Sequence, residues 1–241
     1  MINGVVPAYS ACIEAFSEEN DEVIVQTPIY PPLFKCVNSN NRKVVVNELK
    51  KDENGYYTMD LEDLEKKITS KTKILALCSP HNPVGRVWSK DELEKLVNIC
   101  IKHNIIIVSD EIHSDITFKK FTPLASISQK IANQTITLNS AGKTFNIAGL
   151  NNAYAISKNQ DLLNKFKKIA QKREIQSINF FGYIATKAAY DNGAIFVEEL
   201  KKYLLSNMNF TKNYFEKNNI KIDFKIPEAT YLVWLDFSKY N

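Results

Sequence analysis

Three short polar motifs, each preceded by a run of apolar residues, constrain the fold of this chain more than any other feature. They place Asn82 in Ser-Pro-His-Asn-Pro, Asp110 in Ser-Asp-Glu-Ile-His and Lys143 in Ser-Ala-Gly-Lys-Thr. The interval from each motif to the next has the length of one strand-helix-strand unit. Right-handed crossovers bring the carboxyl ends of parallel strands to one edge of a sheet, where open α/β sheets bind ligands. The sequence therefore predicts that these three side chains converge on one ligand.

The rest of the apolar pattern favours an α/β fold with a mostly parallel sheet between helices. Strands are predicted at 22–26, 43–49, 74–78, 105–108, 135–138 and 153–156, and helices at 7–16, 61–68 and 89–103. The last of these helices opens with Ser89-Lys-Asp-Glu, which is a capping box. The stretch 178–218 is predicted to be helical with a break near Gly193. The proline-rich stretch 27–32 is predicted to be a stiff turn that presents Tyr30.

Composition excludes several other classes of protein. With 241 residues, of which 44% are hydrophobic and 24% charged, the chain can bury one sizeable core and part of a second domain. Its net charge of +4 comes from scattered lysines without a basic stripe, so no nucleic-acid partner is expected. No apolar stretch approaches the roughly 20 residues that span a bilayer, so no membrane partner is expected either. Four widely spaced cysteines without a C-x-x-C pair predict reduced thiols and a cytoplasmic location.

The three polar residues have the chemistry that holds pyridoxal 5'-phosphate. A lysine amine can form a Schiff base with the cofactor aldehyde, and an aspartate can keep the pyridine nitrogen protonated. An asparagine amide can hydrogen-bond the ring hydroxyl oxygen. The sequence offers no comparable case for other chemistry, because no metal-ligand spacing is present and Ser140 lacks the G-x-S-x-G context of a hydrolase nucleophile.

Longer motifs give the chain a family resemblance. The stretches 79–85, 109–115, 140–150 and 229–236 resemble fold-type I pyridoxal-phosphate enzymes, the class I/II aminotransferase superfamily. Within it the chain is most similar to the cystathionine β-lyase subgroup of carbon–sulfur lyases, because the commoner aminotransferase pattern has tyrosine where His113 stands, and because Tyr30 precedes two prolines. The resemblance implies an aminotransferase-like large domain at 1–200 and the beginning of a small α+β domain at 201–241.

The resemblance also assigns roles around the cofactor ring. It implies that Lys143 carries the cofactor covalently and then moves protons at the substrate carbon, and that Asp110 pairs with the pyridine nitrogen. Asn82 and His113 are expected to address the ring oxygen. Structural alternatives remain open for each: a surface lysine, a capping aspartate, a turn asparagine or a core histidine.

The remaining expected contacts involve the ring face and the phosphate. Tyr30 is expected to stack over the ring, where it also takes part in the chemistry, although a core tyrosine is the alternative. The backbone amides of Val5 and Val6 at a helix N-terminus, together with the Ser140 hydroxyl, are expected to hold the phosphate. An ordinary helix entry at 4–7 is the alternative there.

The activity that this resemblance implies is a β-lyase reaction on cystathionine or a cysteine conjugate, which releases a thiol, pyruvate and ammonia. A class I/II aminotransferase is the alternative enzyme, and a non-catalytic cofactor-binding regulatory module or an inactive fragment is the alternative outside catalysis. A small amino-acid substrate and a homodimer are also implied. Family members are longer at both ends, so the chain is expected to be truncated. None of Arg42, Arg86 and Arg173 stands where the family binds the substrate carboxylate.

Overall fold

The computed structural model describes residues 1–237 and 240, without the side chain of Asp223. The strands are β1 (Glu22–Thr27), β2 (Lys43–Glu48), β3 (Lys50–Lys51), β4 (Tyr57–Thr58), β5 (Thr72–Cys78), β6 (Ile106–Asp110), β7 (Thr135–Asn139), β8 (Tyr154–Ile156), β9 (Asp223–Phe224) and β10 (Leu235–Asp236). The helices are α1 (Val5–Phe16), α2 (Pro31–Ser39), α3 (Leu61–Lys67), α4 (Lys90–Lys102), α5 (Gln129–Ala132), α6 (Ala141–Thr144), α7 (Gln160–Lys172), α8 (Phe180–Asn192) and α9 (Ala194–Lys217).

Six strands form the central sheet in the order β2-β1-β5-β6-β7-β8. All neighbouring pairs are parallel except β7 and β8, which are antiparallel. The mostly parallel α/β fold and the six predicted strands are therefore confirmed. The reversed direction of β8 was not predicted, and the two antiparallel hairpins β3-β4 and β9-β10 lie outside this sheet.

Both faces of the sheet are covered at its centre, which explains why β5 is apolar from Ile74 to Cys78. Along β5, Ile74 and Ala76 point to one layer, which contains α1 and α7, and Leu75 and Leu77 point to the other, which contains α3 and α4. All four side chains are at most 1% exposed. At roughly 25 cal/mol per Å² of apolar surface, these two layers are the main source of stability in the sheet.

Among the described residues, four helices lie where none was predicted, namely α2, α5, α6 and α7. The stretch after Tyr30 is not only a turn, because α2 begins at Pro31, where prolines in the first helical turn lose no hydrogen bond. Helix α7 was not predicted, yet it packs along α1. The capping box of α4 is confirmed in both directions, and the break between α8 and α9 falls at Gly193. The proposed domain boundary at residue 200 lies inside α9 and stays a prediction. None of the helices in the described part of the chain combines the length and apolarity needed to cross a membrane.

Arg86 anchors the C-terminal segment to the large sheet. Its guanidinium is 4% exposed and forms ion pairs with Glu228 at 3.0 Å and Glu92 at 2.9 Å. It also donates to the Tyr57 carbonyl. Glu228 accepts a further bond from the Val87 amide at 3.0 Å. The segment around Glu228 is therefore held against the loop that follows β5.

We expect Glu228→Gln to lower the free energy of unfolding by about 3 kcal/mol, because it leaves part of a buried guanidinium charge uncompensated. Denaturant titration of the purified chain measures the change. Glu62→Gln is the matched control, since Glu62 pairs with Lys66 on the exposed surface of α3. That pair is worth at most about 0.5 kcal/mol. Equal effects of the two substitutions would contradict the anchoring role.

Candidate active site

A cavity of about 370 Å³ lies at the carboxyl edge of the central strands. Every site residue predicted from the sequence lines it: Val5, Val6, Tyr30, Asn82, Asp110, His113, Ser140 and Lys143. These residues come from five separate segments of the chain. The predicted convergence of the three polar motifs is therefore observed as geometry, while their individual roles stay predictions.

Asp110 ends β6 and is only 6% exposed. One carboxylate oxygen accepts the Ile112 amide at 3.1 Å, and the other has no hydrogen-bond partner among the described residues. Burial raises the pKa of Asp110 to about 6, against the opposing effects of the Ile112 amide and the Lys143 charge. A cation or a hydrogen-bond donor in the cavity would therefore stabilise the carboxylate anion.

Lys143 lies on α6, a helix of one turn that directly follows β7. Ser140 caps this turn by accepting the Gly142 amide at 2.9 Å, and it donates its hydroxyl proton to the Asn152 carbonyl at 2.6 Å. The Lys143 amine makes no hydrogen bond or ion pair with the described residues and lines the cavity. A phosphate contact from Ser140 would have to replace the bond to Asn152.

Asn82 and Tyr30 are held together by their backbones. The Tyr30 amide donates to the Asn82 carbonyl at 3.1 Å. The preceding residue, His81, is fully buried and its Nε2 lies 2.8 Å from the Pro28 carbonyl, so this nitrogen carries the proton. Burial lowers the pKa of His81 to about 4, which keeps the ring neutral. Two connections between chain segments therefore fix the asparagine relative to the tyrosine.

His113 follows β6 and is 3% exposed. Its ring meets the ring of Tyr231 edge-on, with centroids 5.7 Å apart. Its Nδ1 is buried and has no partner among the described residues. Burial, together with the Lys143 charge, lowers the pKa of His113 to about 4. The imidazole is therefore neutral at physiological pH and retains an unsatisfied nitrogen beside the cavity.

The N-terminus of α1 closes another side of the cavity. Its N-cap is Gly4, which has no side chain to cap the helix and has φ of 155°. The Ala8 amide is bonded to the Gly4 carbonyl, so the amides of Val5 and Val6 precede the first helical hydrogen bond. Unpartnered amides and the positive end of the helix dipole favour an anion at this position.

These features fit pyridoxal phosphate. Asp110 would face a pyridinium nitrogen, the amides of Val5 and Val6 would face a phosphate, and the unsatisfied His113 nitrogen would face a ring oxygen. Each of these polar groups lacks a complete set of protein partners, and buried groups of this kind need partners to offset the cost of desolvation. The described residues contain no cluster of side chains suited to a metal ion.

Several lining residues were not predicted from the sequence: Gly4, Cys78, Ile112, Gly142, Ala148, Asn151, Asn152, Tyr231 and Leu232. Most of them are neighbours of predicted residues, so proximity in sequence was the available signal. Tyr231 and Leu232 are different, because they reach the cavity from a distant segment through contacts such as the Thr230 amide to the Ile116 carbonyl at 2.8 Å. The one sequence signal that could have found them is the family motif at 229–236, which contains both residues.

We expect His113→Gln to weaken the pH dependence of stability in the cofactor-free chain. A histidine with its pKa lowered to about 4 stabilises the fold fully above its unfolded pKa near 6.5, and this contribution is lost as pH falls from about 6.5 to 4. The free energy of unfolding, measured at pH 7 and pH 4.5, should therefore fall less for the variant than for the wild type. An identical decrease in both proteins would show that His113 is not held neutral.

Comparison with known proteins agrees with this geometry. The chain is 40% identical to cystathionine beta-lyase PatB of Bacillus subtilis over an alignment of 241 positions, which covers 99% of this chain and 62% of that protein. The structure of cystalysin from Treponema denticola, which contains pyridoxal 5'-phosphate, matches with a TM-score of 0.97 and 37% identity. The match covers 99% of this chain and 61% of cystalysin. A pyridoxal-phosphate-bound C–S lyase from Staphylococcus hominis matches with a TM-score of 0.92 and 33% identity, over 99% of this chain and 60% of the lyase.

The chain thus spans less than two thirds of the length of each of these three proteins. The family model for aminotransferase class I and II matches residues 1–241, which is the whole chain. The chain therefore belongs to the class I and II aminotransferase family.

Proposed function

We propose that this chain binds pyridoxal 5'-phosphate in the cavity beside Lys143 and forms the cofactor-binding part of a carbon–sulfur β-lyase. The proposal depends on one observation: the buried Asp110 carboxylate and the Lys143 amine line the same cavity. Neither group has a full set of hydrogen-bond partners among the described residues. Relatives described as binding the same cofactor share the fold with TM-scores of 0.92 and above.

When bound, pyridoxal phosphate supplies a ring that withdraws electrons from the substrate α-carbon. In this proposal Asp110 holds a proton on the ring nitrogen, where its own buried charge gains a partner. The amides of Val5 and Val6 hold the phosphate, and Asn82 and His113 hold the ring oxygen. Tyr30, which is 38% exposed at the cavity, covers one face of the ring.

Lys143 is proposed to anchor the cofactor and then to move the α-proton of the substrate. Its amine lies on a turn capped by Ser140 and faces the cavity, so it can reach a substrate atom held beside the ring. Proton transfer by a positioned amine is efficient because the donor and acceptor are held within hydrogen-bond reach.

The choice of a lyase over an aminotransferase is supported by His113 and by the names of the relatives. Both reactions begin by removing the α-proton. A lyase reaction would then expel a sulfur leaving group from the β-carbon, whereas amino transfer would release the substrate as a keto acid and pass its amino group to a keto-acid acceptor. The substrate is therefore proposed to be a small amino acid with sulfur at its β-carbon, such as cystathionine or a cysteine conjugate.

A homodimer in the cytoplasm is proposed as the working form. Helices α8 and α9 present exposed aromatic side chains, including Phe181 at 73% and Phe210 at 71%, which a second copy would bury. All four cysteines are free thiols, which is in keeping with a reducing compartment.

We expect Lys143 to be the lysine that takes up the cofactor. After the chain is mixed with pyridoxal phosphate and reduced with borohydride, peptide mass spectrometry should locate the label on Lys143. Lys143→Ala should abolish the visible absorbance of the bound cofactor, and Lys168→Ala, a control on the exposed side of α7, should not. Labelling spread over surface lysines, or centred on another lysine, would contradict the assignment and would favour an inactive fragment.

The lyase proposal is tested in a chimera that joins this chain to the remaining segments of the Bacillus subtilis relative. Supplied with cystathionine, the chimera should release thiol, pyruvate and ammonia in equal amounts. Supplied with alanine and a keto acid, it should transfer amino groups at least about tenfold more slowly, which corresponds to a barrier difference of about 1.4 kcal/mol. Efficient amino transfer without thiol release would instead make the protein an aminotransferase. Cofactor binding with neither reaction would favour a regulatory module.

A further inference from the structure

The turn that carries Lys143 is tied on its C-terminal side to a carboxylate that the proposed function does not use. Thr144 is 1% exposed, and its hydroxyl donates to Asp115 Oδ2 at 2.8 Å. On its N-terminal side the turn is held by the Ser140 cap. A helix of one turn has little internal stability, so its orientation depends on such contacts at its two ends.

Asp115 belongs to the segment that also carries His113 and follows Asp110. A hydrogen bond from Thr144 to Asp115 therefore joins the turn that carries the amine to the segment that carries the carboxylate and the imidazole. Hydrogen bonds to a charged acceptor are stronger than hydrogen bonds between neutral groups. This bond has a hydroxyl donor that is almost fully excluded from water.

Two tyrosines complete the surroundings of Asp115. The Tyr190 hydroxyl from α8 lies 3.3 Å from Asp115 Oδ2 and donates to it, and the Tyr154 hydroxyl from β8 lies 3.1 Å from that of Tyr190. Burial, the Tyr154 hydroxyl and the Asp115 charge raise the pKa of Tyr190, so the phenol remains a proton donor. Asp115 is thus served by hydroxyl donors, and no ion pair with a cation among the described residues competes for it.

The residue after Thr144 is fixed as well. The Phe145 ring meets Tyr190 edge-on at 5.4 Å and stacks with Phe196 of α9 at 6.2 Å. Gly193 lets the helix pair approach this ring, because a Cβ atom at Gly193 would lie 2.3 Å from Phe145 Cε1. The polar contact of Thr144 and the packing of Phe145 therefore act on adjacent residues of the same short segment.

We propose that Asp115 is a positioning residue that acts through Thr144 to hold Lys143 in the orientation for cofactor capture. This inference rests on the proposed function, because it explains how the Lys143 amine is oriented for the role proposed there. Asp115 itself touches neither the cavity nor the proposed cofactor site. Loss of either the Thr144 hydroxyl or the Asp115 carboxylate removes this restraint on the turn. The Lys143 amine is then still present but poorly oriented.

The test is a double-mutant cycle read as the rate at which borohydride-fixable pyridoxal phosphate appears on Lys143 in the full chain. Thr144→Val and Asp115→Ala should each slow capture about tenfold, and the double variant should be no slower than either single variant, because both remove one interaction. Thr144→Ser keeps the hydroxyl and should restore a rate within about twofold of the wild type.

Thr135→Val is the matched control. Thr135 is also 1% exposed, and its hydroxyl donates to the Ile131 carbonyl at 2.8 Å, but it lies at the opposite end of β7 from Lys143. This variant loses a buried hydrogen bond of the same length without touching the turn, and its capture rate should equal that of the wild type. Thermal melting of each variant checks that the fold is retained.

Two results would overturn the inference. One is capture by Thr144→Val at the rate of the Thr135→Val control, and the other is additive slowing in the double variant. If Thr144→Val does not fold, Asp115→Ala and Thr144→Ser carry the comparison, and equal capture rates for these two variants would also overturn the inference. A wild type that is not labelled on Lys143 refutes the proposed function and this inference together, whereas normal wild-type labelling with unaffected variants refutes the inference alone.

Discussion

The uncompensated burial of the Asp110 carboxylate is the constraint on which the rest of the site depends. The side chain is 6% exposed at the end of a central strand, and one of its two oxygens accepts the single hydrogen bond found for it among the described residues. Burial raises its pKa to about 6, which means that the anion is less stable here than in water. A cationic ring nitrogen in the cavity would reverse this cost. The same carboxylate would therefore bind the cofactor and keep its nitrogen protonated.

The parallel sheet brings the polar residues of the site together at one edge. Strands β5, β6 and β7 are adjacent and parallel, so the segments that follow them open at the same edge. Each strand is buried on both faces and is therefore rigid, while the polar residues occupy the loops just beyond. The amide end of α1 lines the same cavity as the buried carboxylate and contributes a positive potential there. Attraction for an anion and attraction for a cation are thus separated within one cavity.

Much of this organisation was predictable because its signals are local. An apolar run followed by a polar motif identifies a strand end, which is why Asn82, Asp110 and Lys143 were placed correctly at the cavity. Ser140 also lies there, although its hydroxyl bonds to the Asn152 carbonyl, a partner that sequence does not reveal. The depressed pKa of His113 depends on burial by distant segments and on the Lys143 charge.

Long-range packing determined what the sequence did not reveal. Helix α7 packs along α1, and β8 runs antiparallel to β7 although the connection between them contains a helical turn, α6. Tyr231 lies at the cavity, and the segment before it is fixed by the ion pair of Arg86 with Glu228. Such pairs join residues more than a hundred positions apart, and no spacing rule connects them.

The central claim is that Asp110 holds a proton on the ring nitrogen of a bound cofactor. The most direct measurement is the ¹⁵N chemical shift of pyridoxal phosphate labelled at the ring nitrogen, recorded in the wild type and in Asp110→Asn. The account predicts a protonated nitrogen across the neutral pH range in the wild type and an unprotonated nitrogen in the variant. A protonated nitrogen in both proteins would contradict it.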